Sequence, residues 1–339
     1  MIPQREYFDK DIANSDNTSG YYIIEENDFV YNPRKSADAP YGPISSYKYA
    51  EAGIVSPLYL CFRAKKEINP AFFEWYFRSS AWHRYVYLSG DSGARHDRVS
   101  IKDDTFFAMP INLPAAQEQE HIASFLERID QKIEMQRALV ENLKKYKRGL
   151  VKALISGTVA FAGSENKRWE TVRLAEIFTI SAGGDIDRQN SSPTYSTSYP
   201  YPVYANALTN NGLYGYANYF KVEGDSITVS GRGEVGHAIA RHCKYVPIVR
   251  LLSLVPKYED DVDFFAYMIN ATSIYIESTG VPQLTSPQLG AVKVFRPPIL
   301  EQKRISSLLL KIDAKIENEE RLTFYLEKIR SSMLQQLFI

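Results

Sequence analysis

The chain has 339 residues, of which 45% are hydrophobic and 13% aromatic, and this length and composition predict two globular domains with packed cores. Its 40 lysine and arginine residues balance its 40 aspartate and glutamate residues. A neutral chain has no overall basic field that would hold nucleic acid regardless of sequence. The composition therefore argues against a non-specific nucleic-acid binder and leaves a sequence reader open.

The sequence indicates no targeting segment and no disulfide framework. The first residues lack the apolar stretch of a signal peptide, and no run of about 18 apolar residues occurs in the chain. We therefore expect a cytoplasmic protein. The two cysteines, Cys61 and Cys243, stand in apolar surroundings in different halves of the sequence, which favours buried free thiols.

Residues 1–113 are predicted to form the first globular domain. Short β-type runs at 21–24, 29–32 and 58–62 alternate with turns that contain proline and glycine. The segment 69–88 is aromatic and predicts a helix. A mixed α/β (α+β) domain is expected.

Residues 114–157 are predicted to form one long helix that begins just after Pro114, where a first turn needs no backbone donor. Apolar residues recur there at spacings of three and four, which gives a helix with one narrow apolar seam. The seam residues are Ile122, Leu126, Ile129, Ile133, Val140, Leu143, Leu150 and Leu154.

Residues 158–296 predict a second domain on the same plan, and residues 297–339 predict a second long helix. Strands are expected at 225–229 and 247–255, followed by a helix over 263–276. The second helix follows a proline pair, and its seam runs through Ile305, Leu309, Ile312, Ile316, Leu326, Met333 and Leu337.

The two long helices are copies of one another. The segment 118–155 aligns without a gap with 301–338, and more than a third of the aligned positions are identical. Polar residues interrupt both seams at matching places, namely Gln136 and Glu319, and Lys147 and Arg330. Such residues fix register and partner at some cost in stability. The repeat favours two helices that pack on each other as a spacer over a helix hairpin in an all-helical domain.

The two domains also echo each other. Residues 26–30 parallel 223–227, and the pair Phe72-Phe73 parallels Phe264-Phe265. The first domain lacks the stretch that opens the second one, so either that stretch is absent or the start of the chain is internal.

Four motifs point to a known family. They are the proline-led starts of the two helices at 113–119 and 297–302, the loop 280–284 before the second helix, and the entry 169–174 to the second domain. Together with the alternation of two α/β domains and two near-identical helices, they resemble the DNA-specificity (S) subunit of type I restriction-modification systems. The resemblance covers nearly the whole chain and departs from the family at the N-terminus.

The resemblance implies a fold and a function. The fold would be two globular target-recognition domains alternating with two long antiparallel coiled-coil helices. Each domain would read one half of a split site in double-stranded DNA, and the helices would act as ruler and as docking surface for two methyltransferase (M) subunits. The chain would be non-catalytic, with S-adenosylmethionine bound by the M subunits and ATP by the restriction (R) subunits.

Two patterns point to other chemistry, and both are weak. Residues 231–236 have the glycine spacing of a dinucleotide fingerprint, but 237–249 carry little helical periodicity, so the required helix is missing. We expect instead a tight turn that displays Arg232. His237, His242 and Cys243 have no second cluster with which to form a metal site.

Candidate DNA contacts follow from residue type, because Arg reads guanine, Asn reads adenine, and Lys, Arg and Tyr reach phosphates. In the first domain they are Arg34, Lys35, Tyr41, Arg95 and Arg98. In the second they are Arg188, Asn190, Tyr204, Asn206, Asn210, Tyr214 and Arg232. The competing interpretation is that the Asn and Tyr residues serve turns and strands. The competing function is a coiled-coil protein-interaction scaffold that reads no DNA sequence.

Overall fold

The computed structural model describes residues 1, 6, 18–90, 97–156, 169–272 and 283–338. The chain divides into two compact units, the first made of residues 1–139 and 319–339 and the second of residues 140–318. Each unit combines one globular head with parts of both long helices. None of the helices in the described ranges combines the length and the apolarity that a membrane crossing requires.

The first head occupies the described residues between 18 and 113. Its elements are β1 (Tyr22–Ile24), β2 (Phe29–Tyr31), β3 (Ile44–Ser46), β4 (Gly53–Val55), β5 (Leu60–Phe62), α1 (Pro70–Arg78), α2 (His83–Ser89) and α3 (Asp103–Phe107). The long helix α4 (Ala116–Ile155) follows. Strands β3, β2 and β5 form an antiparallel sheet in that order, and β1 pairs with β4.

Aromatic side chains form the core of the first head. Phe29 and Tyr31 of β2 are fully buried. The Phe29 ring meets Phe73 and Phe77 of α1, with the Phe29 and Phe73 ring centroids 5.2 Å apart, and the Tyr31 ring packs on Trp82 and Phe106. The prediction of one helix over 69–88 is wrong at its centre, because α1 ends at Arg78 and Ser79 has an extended backbone. The Ser79 hydroxyl donates to the Tyr76 carbonyl at 2.6 Å, so the side chain satisfies a carbonyl at the helix end and α2 starts afresh.

The second head occupies the described residues between 169 and 298. Its elements are β6 (Glu170–Arg173), α5 (Leu174–Ile177), β7 (Phe178–Ala182), β8 (Ser191–Ser192), β9 (Tyr201–Tyr204), β10 (Leu213–Ala217), β11 (Ser226–Val229), β12 (Ala238–Arg241), β13 (Val246–Pro247), β14 (Leu252–Pro256), α6 (Val262–Ala271), α7 (Ser286–Gly290) and β15 (Lys293–Arg296). The long helix α8 (Ile299–Leu337) follows.

Two four-stranded sheets and one strand pair build the second head. One sheet has the order β13-β9-β10-β8, the other has the order β12-β11-β14-β7, and β15 pairs with β6. The strand predicted over 247–255 is wrong as one element, because a turn at 249–250 separates β13 from β14 and the two belong to different sheets. The helix predicted over 263–276 begins at Val262 and ends at Ala271, and residues 273–276 lie outside the described ranges.

The long helices follow the predicted seam. Leu126, Ile133 and Val140 are buried in α4, and Ile305, Leu309 and Ile316 are buried in α8. Leu337 departs from the prediction: it is exposed, and the neighbouring Phe338 is buried against Phe72 and Tyr76 of the first head. The buried apolar residues therefore fix which face of each long helix packs inside its unit.

The polar interruptions of the seam are paired within each unit. In the first unit Asp130 pairs with Arg330, and the Gln136 amide donates to the Glu319 carboxylate. In the second unit Lys147 pairs with Asp313. Asp130 and Asp313 are equivalent in the repeat, as are Arg330 and Lys147, so the same contact occurs once in each unit. In the first unit residue numbers rise on α4 as they fall on α8 along these contacts, so the two helices are antiparallel there.

One glutamine near the start of each long helix holds the head of its unit. In the first unit the Gln119 side chain accepts from the backbone N–H of Asn69 at 2.8 Å. In the second the Gln302 side chain accepts from the N–H of Asp261 at 2.8 Å. Asn69 and Asp261 are the N-cap residues of α1 and α6, and their own side chains cap the first turn. Each head helix is thus tied by its N-terminus to a long helix through the same contact.

Candidate nucleic-acid interface

Three candidate residues of the first head come together through backbone pairing. Residues 33–35 run antiparallel to 97–99, with the Lys35 N–H donating to the Asp97 carbonyl at 2.9 Å and a bridge between Arg34 and Arg98. Arg34 and Lys35 are exposed and Arg98 is half-buried. This places three basic side chains within one short ladder. Arg95, the fourth basic candidate, lies outside the described residues.

Tyr41 has a structural role. Its ring packs on His83 with 4.7 Å between the ring centroids, and its carbonyl accepts from the Tyr31 hydroxyl at 2.8 Å. Burial lowers the pKa of His83, which keeps that imidazole neutral beside the ring. Tyr41 therefore links α2 to the core of the first head through its ring and its carbonyl. These contacts support a structural role for Tyr41 over a contact with DNA.

In the second head, a turn after Ile186 displays Arg188. The Asn190 amide donates to the Asp187 carboxylate at 2.8 Å, and its oxygen accepts from Asn218 at 3.0 Å. The hydrogen bond from Asn190 lowers the pKa of Asp187 and keeps this carboxylate charged at neutral pH. Asn190 thus shapes the turn with both ends of its amide, while Arg188 stands exposed beside it.

Tyr204 and the turn at 209–212 are joined by a residue that sequence reasoning missed. Arg241 is buried, its guanidinium lies 3.7 Å from the centre of the Tyr204 ring, and it donates to the Asn211 carbonyl at 2.6 Å. Burial lowers the pKa of Arg241, and the neighbouring Tyr204 and Tyr245 side chains only partly offset this shift. Nothing in the sequence around Arg241 marks it as buried, because an arginine side chain is ordinarily exposed.

Asn210 is explained by backbone geometry. Asn210 and Asn211 both have a φ of 51°, and Gly212 has a φ of 78°. Asparagine and glycine tolerate this left-handed region better than other residues. The interpretation that the Asn residues serve turns therefore accounts for Asn210.

Tyr214 differs from Asn210 because its side chain is exposed. It lies at an irregularity of β10, between Leu213 and Gly215, where a bulge redirects a side chain.

Asn206 fastens three loops of the second head together. Its side-chain oxygen accepts from the Gly231 N–H at 2.8 Å, and its amide donates to the Val249 carbonyl. The next residue after Gly231, Arg232, is exposed and donates to the Gln283 side chain at 3.1 and 3.3 Å. Asn206 therefore positions the loop that carries Arg232.

The glycine run at 231–236 is a turn, as predicted, and leads into strand β12 instead of a helix. The glycine run therefore does not lead into a helix N-terminus that could bind a phosphate.

His242 pairs with two carboxylates, Asp225 at 2.9 Å and Asp263 at 3.1 Å. Within the described ranges, no group of three His, Cys, Asp or Glu side chains gathers in a way that suits a metal ion.

The prediction of buried thiols is wrong for Cys243, which is exposed, and Cys61 is half-buried. Cys243 follows the end of β12, where the chain leaves the sheet, and its apolar neighbours in sequence belong to the buried β13.

A second functional candidate that the sequence analysis missed is Arg250, which is exposed in the turn between β13 and β14. No turn-forming residue marks that turn in the sequence.

A model of the family described as type I restriction modification DNA specificity domain matches residues 10–145 and 166–328. These two regions take in most of the chain and include both heads. The chain belongs to this family. The predicted fold class, two α/β target-recognition domains alternating with two long helices, is confirmed.

Two relatives of this chain are named as type I specificity subunits. The type I specificity subunit S.MpnORF507P of Mycoplasma pneumoniae is 26% identical over 200 residues, 59% of this chain and 54% of the relative. The type I restriction enzyme MjaX specificity subunit of Methanocaldococcus jannaschii is 27% identical over 260 residues, 71% of this chain and 61% of the relative. The chain thus spans less than two thirds of the length of either relative.

Solved structures share the fold of the specificity-domain chain. The HsdS subunit from Thermoanaerobacter tengcongensis aligns with a TM-score of 0.53 at 18% identity, over 93% of this chain and 81% of that one. The type I S subunit from M. genitalium gives 0.58 at 16% identity, over 93% and 84%. A chain from a study of type I R-M complex assembly and conformational transition gives 0.63 at 17% identity, over 93% and 82%.

Proposed function

We propose that the chain is the DNA sequence-recognition subunit of a type I restriction-modification complex and reads a bipartite site, one half with each head. The observation that carries the proposal is the repeated attachment of a mixed α/β head to each of two copies of one helix. Gln119 and Gln302 make the same contact to an N-cap residue in each unit. Two readers of this kind in one chain suit a site that has two separate halves.

The residues available for reading are mainly exposed arginines. Arg34 and Lys35 in the first head and Arg188 and Arg232 in the second stand on loops, with Tyr214 on a strand irregularity. Arginine supplies both phosphate contacts and paired hydrogen bonds to guanine. Because the chain has no excess of basic residues, its affinity would depend on such local contacts and on basic partners.

The long helices would dock two methyltransferase subunits and, with them, the restriction subunits. Exposed aromatic residues on their outer faces support this assignment: Tyr146 on α4 is 61% exposed, and Phe324 and Tyr325 on α8 are 52% and 59% exposed. Exposed aromatics beside charged residues are typical of protein interfaces. The chain itself would be non-catalytic, with S-adenosylmethionine and ATP bound by the partner subunits.

Methylome sequencing tests the proposal directly. A host lacking other methyltransferases is given this chain together with its methyltransferase subunit, and modified bases are mapped across the genome. The expected result is one motif with two short specified halves and a fixed number of unspecified bases between them. A parallel strain carrying the methyltransferase subunit alone should show no motif.

Two outcomes would contradict the proposal. A single continuous motif would mean that one head does all the reading. Methylation that does not depend on this chain, together with stable capture of the methyltransferase subunit by the chain, would favour the scaffold function.

A further inference from the structure

The turn between β13 and β14 has an unusual backbone for the residues it contains. Val249 and Arg250 form a two-residue excursion between the buried Ile248 and Leu251, and the Leu251 N–H donates to the Ile248 carbonyl at 3.0 Å. Both central residues have positive φ, 51° and 66°. This combination defines a tight turn in which glycine, asparagine and aspartate predominate.

Valine and arginine are poor residues for this backbone. A β-branched side chain at positive φ is a genuine outlier, and such a conformation persists only where the surrounding structure imposes it. Nor does burial compensate for the strain, because Val249 is 47% exposed and Arg250 is exposed as well. The two side chains therefore cost stability and gain no internal packing of comparable extent.

Hydrogen bonds from neighbouring loops hold the turn in place. The Val249 N–H donates to the Gly184 carbonyl at 2.8 Å, and the Arg250 N–H donates to the Gly183 carbonyl at 3.0 Å. The Asn206 amide donates to the Val249 carbonyl. These three backbone groups of the turn are thus hydrogen-bonded within the head. The Val249 and Arg250 side chains are left exposed to solvent.

Close backbone approach adds to this restraint. A β-carbon at Gly183 would lie 2.6 Å from the Pro247 carbonyl, and one at Gly231 would lie 2.7 Å from the Arg250 carbonyl oxygen. Both positions therefore admit only glycine without a shift of backbone. The turn also joins the two four-stranded sheets of the second head, which fixes its position relative to both.

We propose that Val249 and Arg250 form a base-reading finger of the second head, with Arg250 donating two hydrogen bonds to O6 and N7 of a guanine and Val249 packing on the methyl group of an adjacent thymine. The inference rests on the proposed function. Both pairings match the groups that the major groove presents. The finger lies next to Arg232 through the contact of Gly231 with Arg250 and Asn206, so the two arginines extend from adjoining loops.

The experiment uses the complete complex with methyltransferase subunits and selects DNA from a library randomised in both half-sites. Arg250→Ala should lose the preference for one guanine in one half-site by about 5- to 150-fold, with all other positions unchanged. Replacing that guanine by 7-deazaguanine should weaken the wild-type complex and leave the Arg250→Ala complex unaffected. Arg173→Ala, an exposed arginine of the same head on ordinary backbone, is the matched control and should keep every preference.

The thymine contact is tested by its methyl group. Deoxyuridine in place of the adjacent thymine should weaken the wild-type complex severalfold and should have no effect on Val249→Asn. Asparagine suits positive φ, so Val249→Asn should also raise the midpoint of thermal unfolding. A gain in stability with a loss of one base preference is not expected of a residue that only shapes the turn.

The outcomes separate the finger from the proposed function. If the wild-type complex shows no base preference at all, the proposed function fails. If it is selective but Arg250→Ala keeps all preferences, or loses affinity equally on all sequences as a phosphate contact would, the base-reading finger is overturned.

Discussion

Gln302 offers the most direct test of how the second head is held on its long helix. Its side chain is only 1% exposed and makes three hydrogen bonds, accepting from the Asp261 N–H at 2.8 Å and donating to the Pro297 carbonyl at 2.9 Å and the Asp260 carboxylate at 3.0 Å. Gln302→Ala leaves a donor and two acceptors without this partner. Each buried group left unsatisfied costs about 1–3 kcal/mol, and Asp260 keeps its pairing with Arg296, so we expect a loss of about 2–4 kcal/mol.

Hydrogen exchange measured by mass spectrometry reports this loss locally, which matters because a chain of two units does not unfold in a single transition. The N–H groups of Phe264 and Phe265 bond to Asp261 at the start of α6, so their exchange should be about 30- to 1,000-fold faster in Gln302→Ala. The corresponding segment 69–73 of the first head should be unchanged. Gln131→Ala, an exposed glutamine on α4, serves as the control and should alter neither segment.

The repeated contact in the first unit makes the prediction reciprocal. Gln119→Ala should speed exchange at Phe72 and Phe73 and leave α6 unaffected. Its effect should be smaller, because one of its three hydrogen bonds, to the Glu67 carbonyl, is long at 3.4 Å. Less than a threefold change at α6 in Gln302→Ala, or an equal response of both heads to either variant, would refute the argument that each glutamine holds its own head.

Three further predictions concern the second head and the long helices. Arg232→Ala should weaken specific binding by about 1–3 kcal/mol in one half-site only, measured by competition with variant sites, whereas an equal loss on all sequences would mark a phosphate contact. If the long helices set the spacing of the half-sites, four residues inserted between Val140 and Ile155 add about 6 Å, or one to two base pairs of about 3.4 Å, to the spacer selected from a randomised library. An unchanged spacer would show that these helices do not measure the site. His242 gives a pH dependence: partial burial opposes its charge, but the hydrogen bonds with Asp225 and Asp263 raise its pKa above the usual value. This stabilisation is fully present below about pH 6.5 and is lost as pH rises through the raised folded-state pKa, so the second unit should be slightly more stable at pH 6 than at pH 8, by less than about 1 kcal/mol, and His242→Gln should remove the difference in urea unfolding.

The long helices were the most predictable elements, because a seam of spacing three and four is a local property of the sequence. The apolar repeat predicted that Leu126 and its equivalent in the second copy, Leu309, lie on the seam, and both are fully buried. The echo between Phe72-Phe73 and Phe264-Phe265 likewise identified the buried face of the head helices, since all four side chains are buried. Duplication made these inferences stronger, because each pattern occurred twice.

The turn at Val249 and Arg250 could not be predicted by the same reasoning. Ile248 and Val249 favour strands by propensity, and the run 247–255 predicted a continuous strand. The left-handed backbone is imposed by Gly183, Gly231 and Asn206, which lie far away in sequence. A conformation set by tertiary contacts against local propensity leaves no local signal.

The candidate reading residues divide by what their polar atoms already do. An amide or ring that is fully engaged inside the head cannot also recognise a base without breaking that contact, and a buried partner left behind raises the cost. By this criterion only exposed side chains can contact bases directly. The residues whose polar atoms are already engaged position the exposed ones, as Asn206 does for Arg232. The engaged residues are Tyr41, Asn190, Tyr204 and Asn206, and the displayed ones are Arg34, Lys35, Arg188, Tyr214, Arg232 and Arg250. Arg232 counts as displayed because its bonds to the Gln283 side chain are exposed to solvent. Because the displayed set is dominated by arginine, the second half-site should contain guanine at the positions it specifies most strongly, and the asparagine-rich composition of 187–219 should not translate into adenine preference.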